Sequence, residues 1–402
     1  MAGPLAGVKV VEIGSIGPGP WCAMMLSDMG AEVLRVDRAA AVRDHVPGER
    51  SYEFATLRGR RSVGVDLKHP GGAEVVLRLV EQADALIEGS RPGVAERLGI
   101  GPDACLARNP RLVYGRMTGW GQDGPLAQAP GHDLNYLALS GLLHAIGPAD
   151  GRPVPPLNLV GDYGGGGMLL AFGIVAGLFE AGRSGRGQVL DAAMLDGSLL
   201  LGSLFHGLRQ TGRWRDEREA NRLDGGAPYY GTYETADGKW VAIAANEPKF
   251  YAVLLDTLGL AGEELPEQQD ERGWPELRRR FAAVFRTKTR DHWAEIFRAR
   301  ETCFAPVLTL DEAPKHEHSI AREAFVPVDG VLQPAPAPRF ARTPAAVAGP
   351  AAVPGEHTEK ALRDWGFSPE EVTGLVAAQT VVQAACPAGH PRNDVNQQAV
   401  DS

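Results

Sequence analysis

Residues 8–37, VKVVEIGSIGPGPWCAMMLSDMGAEVLRVD, contain the pattern that decides the fold. Val8 to Gly14 is a short apolar run typical of a buried strand, and Glu32 to Asp37 predicts a second strand. Between them, Pro18 to Gly30 predicts a helix whose first turn tolerates proline. A strand, a helix and a strand in this order form a βαβ unit with parallel strands. The chain therefore opens with the repeating unit of a parallel α/β sheet.

The same alternation continues along the chain. We predict further strands at residues 63–67, 83–88, 111–116 and 188–193, and further helices at residues 71–82, 162–182 and 195–210. Strands that alternate with helices indicate a Rossmann-like, doubly wound α/β domain. The turn Gly14 to Pro20 does not fit the G-x-G-x-x-G spacing of dinucleotide loops, and its prolines remove N–H donors, so we expect no nicotinamide site.

The character of the sequence changes after this first domain. Residues 213–221 are polar, as in a linker, and Tyr229 to Ala244 alternates around Asp237-Gly238, which is a strong hairpin signal. Helices near residues 248–258, 274–285 and 290–298 complete a smaller α+β unit. We therefore predict a large domain at 1–195, a linker helix and linker at 196–224, a small domain at 225–320, a proline-rich segment with a short helix at 321–370, and a disordered tail at 371–402.

Composition limits the partners that this protein can have. A formal net charge of −9 over 402 residues argues against general electrostatic binding of nucleic acid. Local basic residues could still contact the phosphates of a small molecule, with a solvated surface as the alternative. These residues are Arg35, Arg38, Arg91, Arg97 and the arginines of Arg58-Gly59-Arg60-Arg61.

The cysteines and the apolar segments place further limits. Cys22, Cys105, Cys303 and Cys386 show no CxxC spacing, so we expect neither a zinc site nor a disulfide framework, and Cys22 is predicted to be a buried structural residue. No basic segment followed by an apolar core marks the N-terminus, and no later stretch looks long enough to span a membrane. We therefore expect a cytoplasmic protein without a membrane partner.

Two runs in the large domain supply groups for proton chemistry. The runs Gly131-His132-Asp133-Leu134-Asn135-Tyr136 and Gly161-Asp162-Tyr163-Gly164-Gly165-Gly166-Gly167 place one imidazole and one carboxylate at the starts of two predicted helices. Unpaired backbone N–H groups at a helix start stabilise negative charge that grows on a ligand oxygen. The glycines could expose such donors, or they could simply let two helices pack closely. Asp133 is a second candidate for the catalytic carboxylate beside Asp162, but a role as the N-cap of the helix is enough to explain Asp133.

Inversion of a carbon centre needs a proton acceptor on one face and a donor on the other. Asp162 could serve in both directions only if its pKa is raised by burial or by a second carboxylate, so that it is protonated in one resting form. Glu247, in Asn246-Glu247-Pro248, is the second carboxylate that the sequence offers. The alternatives are structural, because a His at a helix start is often a cap and a Glu before Pro often complements the helix dipole.

At these runs the chain resembles the family III CoA-transferase superfamily, and within it the bacterial type of α-methylacyl-CoA racemase. The resemblance covers nearly the whole chain, through MAGPLAGVKVVEIGSIGPGP (1–20), EGSRPGVAERLGIGP (88–102), RMTGWGQDGPLAQAPGHDLNY (116–136), HAIGPADGRPVPPLNLVGDYGGG (144–166), DGGAPYYGTYETADGKWVAIAANEPKFYA (224–252) and PAPRFART (336–343). It implies an interlocked homodimer in which residues 321–370 return to complete the large domain. It also implies an active site between the large domain of one subunit and the small domain of the other.

The resemblance assigns the site residue by residue. It makes His132, Asp162 and Glu247 the catalytic residues, with Glu247 bonded to Asp162, and it implies no metal and no cofactor apart from the CoA of the substrate. It assigns CoA contacts to Arg38, Val65, Asp66, Leu67, Lys68, Gly89, Ser90, Arg91, Arg97, Gly131, Asp133, Leu134, Asn135 and Tyr136. Ser90 stands where the resemblance implies an aromatic residue, so we expect no stacking contact at this position.

Two other activities fit the same resemblance. A family III CoA transferase would use Asp162 as a nucleophile that forms a mixed anhydride and then a thioester. Transferases that resemble this chain usually lack a histidine in the loop of His132, which favours the racemase. A non-catalytic acyl-CoA-binding homologue would not require His132, Asp162 and Glu247 together. The resemblance therefore implies an isomerase that acts on 2-methylacyl-CoA thioesters by proton transfer through an enolate.

Overall fold

The computed structural model describes residues 3–46, 51 and 53–385 and forms two compact units. The first unit comprises the described residues of Met1–Pro130, Asp162–Met194 and Val326–Ser402, and the second comprises Gly131–Gly161 and Leu195–Phe325. This division differs from the predicted domains in two segments. Residues 131–161, assigned to the large domain from the sequence, and residues 196–224, assigned to a linker, both group with the second unit.

The strands and helices follow in chain order. The strands are β1 Lys9–Ile13, β2 Glu32–Arg38, β3 Arg61–Val65, β4 Ala85–Glu88, β5 Val113–Thr118, β6 Gln188–Ala193, β7 Tyr230–Glu234, β8 Trp240–Ala244, β9 Phe304–Pro306, β10 Phe325–Val328, β11 Val331–Pro334 and β12 Val381–Val382. The helices are α1 Pro18–Asp28, α2 Ala39–Arg43, α3 Gly72–Val80, α4 Val94–Arg97, α5 Pro102–Arg108, α6 Asp133–Leu139, α7 Leu169–Ser184, α8 Met194–Leu201, α9 Ser203–Gln210, α10 Pro248–Leu258, α11 Trp274–Phe285, α12 Arg290–Phe297, α13 Glu317–Ala321, α14 Thr358–Asp364 and α15 Pro369–Ala377. A π-helical segment, Leu159–Met168, runs directly into α7.

The first unit is built on a seven-stranded sheet of order β12-β3-β2-β1-β4-β5-β6. The strands from β1 to β6 are parallel, and only β12 runs antiparallel, against β3. Val11 pairs with Leu34 of β2 on one side and with Leu86 of β4 on the other. The chain winds outward from β1 in both directions, which confirms the predicted doubly wound α/β fold.

Apolar strands make this sheet a buried layer. Val11, Leu34 and Leu86 have no exposed surface, as expected for parallel strands covered on both faces. Helices that follow the strands supply the covering side chains, including those of α3 and, from the far end of the chain, Leu362 and Trp365. At about 25 cal/mol per Å² of apolar surface, burial of such side chains is the main stabilising contribution to the fold.

The prediction of a disordered tail from residue 371 is wrong for its first part. Ser368 caps α15 by accepting a hydrogen bond from the Glu371 N–H, and the Glu371 carboxylate accepts one from the Ser368 N–H. Val372 and Val381 then enter the core, where β12 extends the sheet. Leu375 and Val376 pack against the same core, so the segment 371–382 is anchored by apolar side chains of its own. Residues 386–402, including Cys386, lie outside the described residues.

The second unit contains a three-stranded antiparallel sheet of order β7-β8-β9. The predicted hairpin turns at Asp237-Gly238, where Gly238 adopts a φ of 71° and Thr235 accepts the N–H of Gly238. Aromatic side chains from β7 and from α10, α11 and α12 form its core. Tyr233 and Phe285 stack in that core with ring centroids 5.2 Å apart.

A continuous helix from Leu159 to Ser184 is the longest in the described part of the chain. It is 26 residues long and apolar enough, by length and composition alone, to cross a membrane, so the expectation that no stretch reaches this length is wrong here. Buried core helices pass the same test. Within the first unit, α7 packs closely on β5, and glycines on both elements make this possible. A methyl group on Gly115 of β5 would lie 2.9 Å from Ile174, and a methyl group on Gly177 of α7 would lie 2.8 Å from Val113.

Candidate active site

The sheet of the first unit has a point at which its winding reverses. The strand β1 lies between β2 and β4, and the chain builds one side of the sheet through β2 and β3 before it returns to β4. In open α/β sheets, ligands bind in the crevice outside the carboxyl ends of the strands at such a point. The loops that leave β1 and β4, Gly14–Gly17 and Gly89–Arg91, therefore mark the candidate site.

Asp162 reaches this point by contacts within the first unit. A methyl group on Gly17 would lie 3.3 Å from Asp162 Oδ2, so the carboxylate packs directly on the turn that follows β1. The next residue, Tyr163, stacks on Trp21 of α1 with ring centroids 5.4 Å apart. The structure thus places the predicted catalytic carboxylate at the switch point of the sheet.

The helix that contains Asp162 begins three residues earlier than the sequence predicts. It begins at Leu159, so Asp162 lies in the first turn rather than at the first residue. The glycines that follow lie beyond that turn. Gly167 allows close packing, because a methyl group there would come within 2.7 Å of Trp21 Cε3 and 2.8 Å of the Pro18 carbonyl oxygen. For Gly167 the packing alternative is therefore correct.

The loop after β4 is held by a buried carboxylate. Glu88 is 1% exposed and accepts a hydrogen bond from the Ser90 N–H at 2.7 Å and one from Arg116 Nε at 3.3 Å. Burial raises the pKa of Glu88, and the Ser90 N–H and Arg116 oppose this shift. Arg116 also pairs with Glu96 at 2.9 Å. These contacts hold the loop at Ser90, and the resemblance predicts CoA contacts for Gly89, Ser90 and Arg91.

Other residues predicted to contact CoA share the same edge of the sheet. Arg38 ends β2 and Val65 ends β3, and because these strands are parallel to β1 and β4 their carboxyl ends meet at one edge. Asp66 closes the turn after β3 by accepting the Lys68 N–H at 3.0 Å. Val65 is 1% exposed, because its side chain is in the core and its backbone lies between β2 and β12, so this residue offers almost no surface to a ligand.

Three of the arginines considered for phosphate contacts do not serve that role. Arg60 Nη1 donates to Glu12 at 2.8 Å, Arg58 Nη2 donates to Asp28 at 2.6 Å, and Arg35 pairs with Asp37 at 2.8 Å, all with nearly no exposed side-chain surface. Burial lowers the pKa of Arg60, and Glu12 opposes the shift. Both sequence alternatives, a phosphate site and a solvated surface, are therefore wrong for these three residues.

Cys22 lies beside this buried ion pair. Its side chain is fully buried, and burial followed by the charge of Glu12 raises the pKa of the thiol. The prediction of a buried structural cysteine is confirmed.

His132 belongs to the second unit, where it precedes α6. Its N–H donates to Asn135 Oδ1 at 3.0 Å, and the Asn135 N–H donates to the His132 carbonyl at 2.8 Å. His132 is exposed, whereas Asp133 is 7% exposed and its Oδ1 would lie 2.5 Å from a methyl group on Gly161. The residue at the N-cap is therefore His132, and Asp133 is explained by packing rather than by the predicted cap. Among the other predicted contacts of this run, Leu134 is exposed and Tyr136 is buried.

Glu247 is the N-cap residue of α10 and is exposed. It has extended backbone with φ −77° and ψ 140°, and Pro248 follows at the first helical position. Its side chain makes no capping hydrogen bond, and its place at the helix N-terminus fits the alternative in which Glu247 complements the helix dipole. The predicted bond between Glu247 and Asp162 stays a prediction.

Sequence reasoning missed two features around these residues. The first is Glu53, whose Oε1 accepts the Gly17 N–H at 3.4 Å and which no periodic pattern marks. The second is a cavity of about 1100 Å³ in the second unit, lined mostly by apolar side chains including Leu142, Phe205, Trp214 and Phe304. Among the described residues, no group of three or more His, Cys, Asp or Glu side chains is arranged to hold a metal ion.

Comparison with known proteins matches this architecture to one family. A model of CoA-transferase family III matches residues 5–358. The chain belongs to this family. The α-methylacyl-CoA racemase of Mus musculus is 46% identical over 376 residues, which cover 92% of this chain and 96% of the mouse protein. The α-methylacyl-CoA racemase of Homo sapiens is 45% identical over 381 residues, with the same two coverages.

A solved structure shares the family fold. The crystal structure of a CAIB/BAIF family protein from Brucella suis superposes with a TM-score of 0.77 at 26% identity, covering 91% of this chain and 100% of that chain. The resemblance to family III and the expected fold are therefore confirmed.

Proposed function

We propose that this protein is an α-methylacyl-CoA racemase, an isomerase that interconverts (R)- and (S)-2-methylacyl-CoA thioesters by 1,1-proton transfer through an enolate. The observation that carries the proposal is the Asp162 carboxylate on the Gly17 turn at the switch point of the sheet, in a chain 46% identical to a racemase. Arg38, the turn at Asp66 and the Gly89–Arg91 loop line the same sheet edge, and basic side chains there suit the phosphates of CoA.

In the proposed reaction, His132 takes the C2 proton of one enantiomer and Asp162 takes that of the other. Breaking the C2–H bond leaves the electron pair in an enolate, and the opposite group then donates a proton to the other face of the carbon. The acidity gap between a thioester C2–H and an imidazole is about 12 pKa units, or roughly 17 kcal/mol. Stabilisation of the enolate oxygen must supply much of this energy.

The first turn around Asp162 supports that stabilisation. The helix begins at Leu159, and its first backbone N–H groups have no partner within the helix. Such donors, together with the positive end of the helix dipole, favour negative charge at this position. The CoA thioester is the substrate itself, and the reaction as proposed uses no resident cofactor.

The family III transferase is the alternative that needs a direct test, because both activities use Asp162. His132 separates them, since a transferase has no need of a second proton-transfer group. We expect His132→Ala to lower epimerisation at least about 1000-fold, because it removes the acid or base for one face. The Kd for a 2-methylacyl-CoA should change only a few-fold, and His318→Ala, at an exposed position on α13, should leave turnover unchanged.

Unchanged epimerisation in His132→Ala would remove this residue from the mechanism. Transfer of CoA to a free acid by the wild-type protein, without epimerisation, would establish the transferase instead. Tight binding of the thioester with neither reaction would establish the non-catalytic homologue.

A homodimer forms part of this proposal. The outer face of the helix that contains α7 carries Met168, Phe172, Val175 and Phe179, which are between 42% and 71% exposed. Their spacing of three or four residues makes one apolar stripe in the first unit. An exposed stripe of this kind is typical of an interaction surface, and a second copy of the chain is the partner that the family resemblance implies. A cytoplasmic location and the absence of nucleic-acid and membrane partners remain predictions.

A further inference from the structure

Gly17 is approached by two carboxylates from different parts of the first unit. Its N–H donates to Glu53 Oε1 at 3.4 Å, and the position of its missing side chain lies 3.3 Å from Asp162 Oδ2. Because one glycine backbone joins the two contacts, the Glu53 and Asp162 carboxylates lie within about 9 Å of each other. Both residues are half-buried, and partly buried charges are screened much less than exposed ones, so the two charges interact.

The position of Glu53 is built into the fold. The Glu53 carbonyl accepts hydrogen bonds from the Thr56 N–H, the Leu57 N–H and Thr56 Oγ1, which close a tight turn at residues 53–57. Arg60 holds this turn by donating to the carbonyls of Thr56 and Leu57. Since Arg60 is itself paired with the fully buried Glu12, the turn is attached to β1.

Other charged groups contact the strands and turns beside Gly17, and they form pairs with one another. Asp37 lies 3.1 Å from the side-chain position of Gly14 and is paired with Arg35. Arg60 and Glu12 neutralise each other. On the Asp162 side, the neighbouring residue Tyr163 contributes an uncharged ring, which stacks on Trp21. Glu53 and Asp162 are the two carboxylates that share Gly17.

We propose that Glu53 is a positioning residue for Asp162, and that its negative charge makes Asp162 easier to protonate. This inference rests on the proposed function, in which Asp162 must carry a proton in one resting form of the enzyme. A neighbouring carboxylate disfavours ionisation of the first, so one of the two holds its proton at a higher pH. The sequence offers Glu247 for this role, whereas the structure supplies Glu53 from the same compact unit as Asp162.

The test is the pH profile of kcat/KM for epimerisation in wild type and in Glu53→Gln. Glutamine keeps the oxygen that accepts the Gly17 N–H and removes only the charge. We expect the acidic limb to move to lower pH by about half a unit, equally for both enantiomers, because Asp162 then ionises more readily. The limb belongs to the titration of Asp162 and His132 together, so it is compared between variants rather than assigned to one residue.

Two further variants separate charge from structure. Glu180→Gln removes an exposed carboxylate from the same helix at a distance of about 27 Å along its axis, and it should leave the limb in place. Glu53→Asp keeps the charge and should retain the wild-type limb even if kcat falls. A merely structural role for Glu53 would lower kcat in both Glu53 variants without a shift that depends on charge.

The outcome also distinguishes this inference from the proposed function. An unshifted acidic limb in Glu53→Gln, with epimerisation abolished in Asp162→Asn, would overturn the role of Glu53 alone. Epimerisation that persists in Asp162→Asn would overturn the proposed function whatever Glu53 does.

Discussion

At the residue scale, the candidate site depends on Gly17, whose role cannot be seen from the sequence of its turn. The turn Gly14 to Pro20 excludes a dinucleotide loop, and the sequence predicts only that its glycines permit a tight turn. The structure adds the reason for Gly17, which has φ 70° and ψ −115° and leaves room for the Asp162 carboxylate. Asp162 itself could be proposed from the sequence, but its contact with Gly17 could not, because 144 residues of chain separate the two.

Replacement of Gly17 by alanine should impair catalysis more than stability. The methyl group would meet Asp162 Oδ2 at 3.3 Å, so the carboxylate must move by a few tenths of an ångström. We expect kcat to fall about tenfold or more, because small misplacements of a reacting group are costly. The backbone strain should cost about 1–3 kcal/mol of unfolding free energy.

Gly124→Ala is the matched control for this substitution. Gly124 also has a positive φ, of 95°, but a methyl group there would meet nothing within 4 Å. Both variants should lose stability in urea unfolding, while only Gly17→Ala should lose kcat. Equal kcat values in the two variants would show that the Gly17 turn does not position Asp162.

At the scale of elements, apolar periodicity predicted most of the fold. The strand at 188–193 and the helices at 248–258 and 274–285 have the bounds expected from the sequence, because each combines an apolar pattern with clear turn or cap residues. The buried ion pairs were missed for a physical reason. Arginine in a sequence usually indicates an exposed position. The structure shows instead that these charges are neutralised inside the fold, by Asp37 for Arg35, by Asp28 for Arg58 and by Glu12 for Arg60.

Arg60→Met should destabilise the first unit strongly. The substitution leaves Glu12, which has no exposed surface, as an unpaired buried charge. Removal of one partner from a buried pair costs about 3–5 kcal/mol. Urea denaturation measures this change in the free energy of unfolding.

The comparison for that measurement is a surface arginine. Arg298 is 58% exposed in its side chain and pairs with Glu295 and Glu317, so Arg298→Met should cost less than about 1 kcal/mol. A loss as small as this in Arg60→Met would mean that the Glu12 carboxylate is solvated rather than buried.

At the scale of the whole molecule, the family resemblance predicts a homodimer, whereas the structure contains a single chain. Each compact unit carries part of the proposed machinery, with Asp162 and the CoA edge in the first and with His132 and Glu247 in the second. The fold class could be predicted from alternating strands and helices. The arrangement of two chains could not, because hydrophobic patterning within one chain does not identify which apolar faces meet a second copy.

The apolar stripe of the helix containing α7 provides a test of the proposed dimer. Phe172 and Phe179 are 71% and 68% exposed, and burial of each on association should contribute roughly 1.5–3 kcal/mol. We expect wild type to sediment as a dimer of about twice 42.8 kDa, and the double variant Phe172→Asp and Phe179→Asp to shift toward the monomer. Leu310→Asp, at a side chain 94% exposed in the second unit, should leave the dimer intact. A wild-type monomer in sedimentation velocity would contradict this part of the account.

The most direct test of the central claim follows the hydrogen at C2. A single enantiomer of a 2-methylacyl-CoA is incubated with the enzyme in deuterated water, and mass spectrometry and chiral analysis of the thioester are recorded together. The account predicts that deuterium enters C2 as optical purity is lost, and that both changes disappear in Asp162→Asn. Retention of the C2 hydrogen and of the starting configuration, under conditions in which the thioester binds, would contradict it.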